Sequence, residues 1–214
     1  MMKIEYLGHS CFRLTTKTGR TIVTDPYEGV GYDLPEILRA DILTVSHGHF
    51  DHNNVSAVKD PLVIAKEPKT YTFDGITVEG IECYHDPEQG NLRGKNVIYK
   101  ITADGTTVCH LGDLGEPYNA TLVEKIGQCD VLLLPIGGTY TVDAHGVKAY
   151  ADAISPKTVI PMHFRPVDGS LDIADETEFL ALYPSEQITR IKNGCVDLPQ
   201  KSTTKIMFME RMKA

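Results

Sequence analysis

The sequence predicts an α/β fold on three observations. Short strand-like runs fill the first half of the chain, strand–helix–strand alternation fills the second, and no Pro- or Ser-rich linker divides them. With 214 residues there is ample material for one core, so residues 1–214 are expected to form a single domain.

The opening stretch alternates. Ile4 and Tyr6, then Cys11, Arg13 and Thr15, then Thr21 to Thr24 read as strands turned at Gly8 and at Thr18-Gly19. A Gly-rich loop from Glu28 to Gly31 follows, then a short helix predicted around Leu34 to Arg39, with Asp33 as its cap and Pro35 in its first turn. Ile42 to Val45 is a compact apolar run of buried-strand type that leads directly into His47, and Asn53-Asn54 reads as the start of a helix. A strand-rich block covers about residues 62 to 111, with hairpin turns at Asp74-Gly75 and Asp104-Gly105. Leu122, Val123 and Ile126 then mark a short amphipathic helix, Val131 to Leu134 a buried strand, Val147, Tyr150, Ala151 and Ile154 a second helix, and Thr158 to Ile160 a strand. Residues 171 to 181 are expected to be helical, and Ile206 to Met209 to be a last strand or helix.

The net charge of −8 argues against a general nucleic-acid binder, which needs a basic surface to displace counterions. The five cysteines are scattered, odd in number and without a CxxC pair, which fits reduced thiols in a cytoplasm better than a disulfide framework. The start reads as alternating strand rather than as a signal peptide, and no apolar run approaches the roughly 18 residues of a membrane helix. The expectation is a soluble cytoplasmic protein with a small-molecule substrate and neither nucleic acid nor membrane as partner.

The chemistry is concentrated in His47-Gly48-His49-Phe50-Asp51-His52, four metal-ligand side chains in six residues. In an extended backbone, residues two apart project to the same side, so His47 and His49 can converge on one ion, with Gly48 leaving room between them. Asp51 and His52 follow where the chain turns, and so point toward a second ion. One loop cannot complete two sites. His85, Asp113 and His163 each sit where an apolar strand ends, and functional side chains of α/β sheets gather at strand carboxyl ends.

HGHFDH resembles the HxHxDH motif of the metallo-β-lactamase superfamily. His85, Asp113 within HLGD and His163 within PMHF follow in the order and approximate spacing of that superfamily's later ligands. Asp25, ending TIVTD, looks like its early acid. GHSCF and LLLPIGG resemble elements of the compact Zn-dependent hydrolase branch that includes the ascorbate-6-phosphate lactonase-like proteins. The resemblance implies a four-layer αβ/βα sandwich, two mixed sheets flanked by helices, with metals at one sheet edge. It implies His47, His49 and His85 on the first ion, Asp51, His52 and His163 on the second, and Asp113 bridging them. Flavin-partnered di-iron relatives replace the motif's second His by an acid, so His49 favours the hydrolytic branch. One or two divalent ions are expected, zinc first, with manganese and iron compatible with the same donors. Relatives are often oligomeric, so a homo-oligomer is compatible with the resemblance.

The remaining candidates have plainer explanations. His110 reads as a structural or ligand-orienting histidine, His9 as a structural one tying the N-terminal hairpin, and His145 as a surface residue. Asp25 is expected to hydrogen-bond a ligand histidine, and Cys83 and Cys109 to be core residues. The expected reaction is attack by metal-activated hydroxide on an ester, lactone or phosphoester, with Asp51 orienting the nucleophile or accepting a proton. No GxSxG elbow or GxxxxGK[ST] loop competes. Arg93, Tyr140 and Arg165 are the candidate contacts to an anionic substrate. A nuclease-like phosphodiesterase of the same fold and a non-catalytic metal-binding protein remain as alternatives.

Overall fold

The computed structural model describes residues 2–34, 38–198 and 205–212. Seven strands come first: β1 (Met2–Gly8), β2 (Cys11–Thr15), β3 (Thr21–Thr24), β4 (Leu38–Arg39), β5 (Ile42–Thr44), β6 (Val58–Lys59) and β7 (Val63–Ala65). The hairpin block follows as β8 (Thr70–Phe73), β9 (Ile76–Tyr84), β10 (Lys95–Ala103) and β11 (Thr106–His110). The second half alternates α1 (Ala120–Ile126), β12 (Val131–Pro135), α2 (Ala144–Ile154), β13 (Thr158–Met162) and α3 (Thr177–Ala181). It closes with β14 (Ile188–Ile191), β15 (Cys195–Leu198) and β16 (Ile206–Met209).

These form two large mixed sheets, one in the order β15-β1-β2-β3-β5-β7, the other β14-β16-β13-β12-β11-β10-β9-β8, beside a small β4-β6 ribbon. Each large sheet is antiparallel in its hairpins and parallel elsewhere, except that β15 returns to pair antiparallel with β1. Asp74-Gly75 and Asp104-Gly105 make the predicted hairpin turns, all four residues at positive φ. Burial follows strand position. β9 alternates buried and exposed along most of its length, whereas β12 and β13 are buried at every residue, as parallel strands covered on both faces should be. One buried cluster joins Ile4, Leu14 and Ile22 of the first sheet to Val78, Tyr99 and Leu133 of the second and to Leu122 and Tyr150 of the helices. Truncating a core leucine such as Leu133 would cost about 2–5 kcal/mol.

The architecture is the expected αβ/βα sandwich, with one asymmetry. The second sheet is covered by α1 and α2. Over the first sheet lies a second apolar cluster, including Leu7, Tyr27, Leu43 and Val58, built mainly from loops and the small ribbon. The helix expected around Leu34 to Arg39 falls partly on residues 35–37, outside the described residues, and Leu38–Arg39 is strand. The helix expected from Asn53 is only a 3-10 turn, Val55–Ala57, because Asn54 offers it no side-chain cap. Helix in 171 to 181 is confined to Thr177–Ala181, and Ile206–Met209 is strand. No described helix is long and apolar enough to cross a membrane.

The topology puts one end of both sheets to use. β1, β3 and β5 run in one direction, since β1 to β3 involves two reversals and β3 is parallel to β5. By the same reasoning β9, β11, β12 and β13 share a direction. Their carboxyl ends carry His9, Asp25, His47, His85, Asp113 and His163.

Candidate metal centre

Two clusters of nitrogen and oxygen donors meet at this edge. In the first, His47 Nε2 is 3.0 Å from His49 Nδ1, which is 3.2 Å from His85 Nε2. Zinc–nitrogen bonds of about 2.0–2.1 Å in a tetrahedron place ligand atoms roughly 3.3 Å apart, close to these separations. The second cluster contains Asp51, His52 and His163, and the ligand-capable atoms of these three residues and of His9 all lie within 4.8 Å of one another. Asp113 stands between the two. Its Oδ2 is 3.4 Å from His85 Nε2, 3.9 Å from His47 Nε2 and 3.1 Å from His163 Nε2, while its Oδ1 is 3.1 Å from His52 Nε2.

These residues fit divalent cations on their own chemistry. His52 Nε2 and Asp113 Oδ1 are buried and lie 3.1 Å apart, yet among the described residues neither makes a well-aligned hydrogen bond. Buried polar atoms are rarely left so, and a cation is the partner that imidazole nitrogen and carboxylate oxygen share.

The comparisons with known proteins agree. The model of the β-lactamase superfamily domain matches residues 3–163. A UPF0173 metal-dependent hydrolase of Thermoplasma acidophilum is 32% identical over 206 residues, covering 85% of this chain and 90% of the relative. A UPF0173 protein of Pyrococcus furiosus is 32% identical over 197 residues, covering 83% and 89%. A crystal structure from Thermotoga maritima, described as of a Zn-dependent hydrolase of the metallo-β-lactamase superfamily, superposes with a TM-score of 0.80 at 36% identity, covering 98% of each chain. The chain belongs to the UPF0173 metal-dependent hydrolases of the metallo-β-lactamase superfamily.

In this hydrolase a further set of buried groups holds the donors in place. Asp25 accepts from Ser46 N at 2.8 Å and from Ser46 Oγ at 2.5 Å, and its Oδ2 lies 2.8 Å from His52 Nδ1. That contact leaves His52 Nε2 turned to the centre, the carboxylate–histidine arrangement that fixes a ring's tautomer and raises its basicity. Ser46 Oγ also lies 3.0 Å from His47 Nδ1, so one aspartate steadies residues of both clusters. Asn96 accepts from Asp113 N at 3.0 Å and donates to Leu111 O at 2.8 Å. Between those residues Gly112, at φ 55°, lies where any Cβ would strike Asn96 Oδ1 and the Ser46 side chain. His9, Asp25 and His163 themselves sit at positive φ, 50°, 37° and 51°. Non-glycine residues in that region cluster at functional sites, where the surrounding structure holds them.

The electrostatics follow from burial and from the carboxylates. Burial, reinforced by neighbouring imidazolium charge, depresses His9 to about 4 and His47 to about 3. Both rings are therefore neutral near pH 7, the state in which both can offer a lone pair. His52 is also penalised by burial, but the charges of Asp113 and Asp25 outweigh it and raise its pKa. Burial raises Asp113, yet His163 and His52 pull it well below the carboxylate range.

His9 is a neighbour of the centre that no local sequence signal marks. It lies in the hairpin turn as expected, but its Nε2 is 3.1 Å from Asp51 Oδ2 and its carbonyl accepts from His163 N at 2.9 Å. His110 lies 2.8 Å through Nε2 from Ser10 O and accepts at Nδ1 from Gly112 N, joining the His9 turn to the Asp113 turn. His145 is exposed, and Cys83 and Cys109 are buried.

A cleft of about 520 Å³ opens on the centre, walled by His49, Asp51, His85 and Asp113 and by Phe50, Arg93, Tyr140 and Leu171. Arg93 stands 5.6 Å from the centre of the Tyr140 ring. It belongs to a loop organised by Asp86, whose carboxylate accepts from the backbone N–H groups of Glu88, Gly90, Leu92 and Arg93 at 2.7–3.1 Å. Arg165 is exposed and does not line this cleft; it borders a narrow crevice with His9 and Tyr32.

Proposed function

We propose that this hydrolase cleaves an ester, lactone or phosphoester bond of a small anionic substrate, with two divalent ions of the zinc class as cofactor. The observation that carries the reading is the pair of donor clusters, with Asp113 3.1–3.9 Å from histidines of both, beside an open cleft. His47, His49 and His85 would hold one ion, Asp51, His52 and His163 the other, with Asp113 between them. Bound there, the ions would supply Lewis acidity toward a substrate oxygen and a nucleophilic water at neutral pH.

The protein's own groups do the rest. Asp25 holds His52 in its ligating tautomer, and Asn96 fixes the turn that aims Asp113. Asp51 turns Oδ2 to His9 while lining the cleft, which makes it our candidate to orient the nucleophile or accept its proton. Arg93 and Tyr140 hold the anionic substrate. Residues 1–214 act as one domain in this reading, supported by the shared core and by β15 returning to pair with β1. A cytoplasmic setting is supported by five unpaired cysteines.

Assaying lactones, carboxylic esters, thioesters and phosphodiesters with Zn²⁺, Mn²⁺ and Fe²⁺ tests this. We expect turnover of a small ester or lactone that chelation abolishes. Turnover of RNA instead would favour the nuclease-like alternative, and no turnover with metal bound would favour a non-catalytic protein.

A further inference from the structure

Outside its metal-facing groups the cleft offers four side chains, and three of them are apolar or aromatic. Phe50 is 53% exposed and Tyr140 is 41% exposed. Leu171 completes the wall. The Phe50 ring is seated against Gly29, where an added Cβ would lie 3.1 Å from it. A large ring held in place and yet left open to solvent at the mouth of a pocket is a surface waiting for an apolar partner. The fourth side chain, Arg93, is half-buried and makes no ion pair among the described residues; its guanidinium faces the Tyr140 ring.

Resting on the hydrolase reading above, we infer that the substrate is a carboxylate monoanion with an apolar or aromatic body, its charge held by Arg93 and its body by Phe50, Tyr140 and Leu171. One guanidinium matches one carboxylate with two parallel hydrogen bonds. A phosphate monoester carries nearly two charges and three acceptor oxygens, more than one arginine satisfies. A sugar-like body would press several hydroxyls against phenyl and isobutyl groups, and each would lose its water without gaining a partner. A cleft of about 520 Å³ suits a small molecule of this kind.

Calorimetric titration of the full chain loaded with Zn²⁺ tests the inference, with acetate, 4-phenylbutyrate, gluconate and glucose 6-phosphate as probes. We expect 4-phenylbutyrate to bind about tenfold tighter than acetate or better. Gluconate should gain nothing over acetate. Phe50→Ser and Leu171→Ser should each remove much of the phenylbutyrate advantage while leaving acetate unchanged, and Arg93→Ala should weaken phenylbutyrate. Elemental analysis of each variant confirms that its metal content is intact. Tighter binding of gluconate or glucose 6-phosphate than of phenylbutyrate overturns the inference. So does a phenylbutyrate affinity that neither Phe50→Ser nor Leu171→Ser changes. Because binding is read without turnover, the two readings fail separately. A protein with this preference that hydrolyses nothing sinks only the hydrolase mechanism, and one that hydrolyses esters yet prefers glucose 6-phosphate sinks only the substrate class.

Discussion

His47, His49 and His85 meet at the open side of the centre, where His49 is exposed to the cleft, whereas His9, Asp51, His52 and His163 are all buried. The inner group is braced by direct contacts: His52 rests on Asp25, and Asp51 on His9. Of the outer group, His47 has a neighbour in Ser46, whereas among the described residues His49 Nδ1 bonds only to the other two imidazoles. One half of the centre is therefore set before any ion arrives, while the other half is the accessible one. An ion in the inner cluster should therefore be held more firmly than one in the outer cluster.

The residue common to both halves gives the strongest test of this asymmetry. Asp113→Ala should reduce metal content from about two ions per chain to well below one, with activity lost in parallel; elemental analysis retaining both ions would remove Asp113 from the bridging position. Next come the paired variants. His49→Ala should cost the outer ion and spare the inner one, whereas His52→Ala should cost the inner ion and loosen the whole edge. Equal metal loss in the two, or unchanged content in His49→Ala, would contradict the asymmetry. Asp25→Asn is a finer test, because it keeps shape and removes the charge behind His52. Metal affinity should fall about 10–100-fold, read by competition with a chromophoric chelator, and an affinity within twofold of the parent would reduce Asp25 to a structural aspartate.

The smallest expected effect lies outside both clusters and serves as a reference. Glu5, buried on β1, pairs with Arg13 at 2.7 Å and Lys3 at 3.0 Å. Burial raises its carboxyl pKa, but the hydrogen bonds and charges of Arg13 and Lys3 together outweigh burial and leave it below the usual range. A folded-state pKa below the unfolded one means that the pair stabilises the fold above the ordinary glutamate pKa of about 4.3. That contribution is lost as pH falls through the folded value. Arg13 is partly exposed, so Glu5→Gln should cost only about 1 kcal/mol at neutral pH, flatten the acid limb of the stability curve and leave metal content untouched.

Much of the centre is legible in the sequence because its signals are local. Four donors in six residues need no fold to be noticed, and His85, Asp113 and His163 are marked by the apolar strands that end just before them. His9 escapes because nothing beside it in the chain signals a ligand neighbour. Only the two reversals from β1 to β3 bring it to the same edge as Asp25 and His47, an inference that strand count and direction support once the order is known. The helices expected at Asn53 and over residues 171 to 181 are short because the backbone there bonds to distant loops. Asn54 N reaches Pro26 O and Ala174 N reaches Gly137 O, which leaves only the 3-10 turn Val55–Ala57 and the helix Thr177–Ala181. The strands Ile188–Ile191 and Cys195–Leu198 are short and interrupted by exposed polar residues, which hides them until their partners β16 and β1 are in view.

Among the described residues, the Asp86 cradle grips its loop by the main chain, with four amide groups on one carboxylate. Such a grip is indifferent to which residues occupy positions 87 to 92, provided the backbone can follow the same path. Apart from Gln89 and Gly90, which sit at positive φ, the identity of those residues can therefore drift, or be shuffled in a library, with Arg93 still delivered to its place and His85 undisturbed. Arg93 and His85 are neighbours in the chain here, yet the loop between them hangs on one carboxylate, which makes this stretch the natural place to retune selectivity by directed evolution.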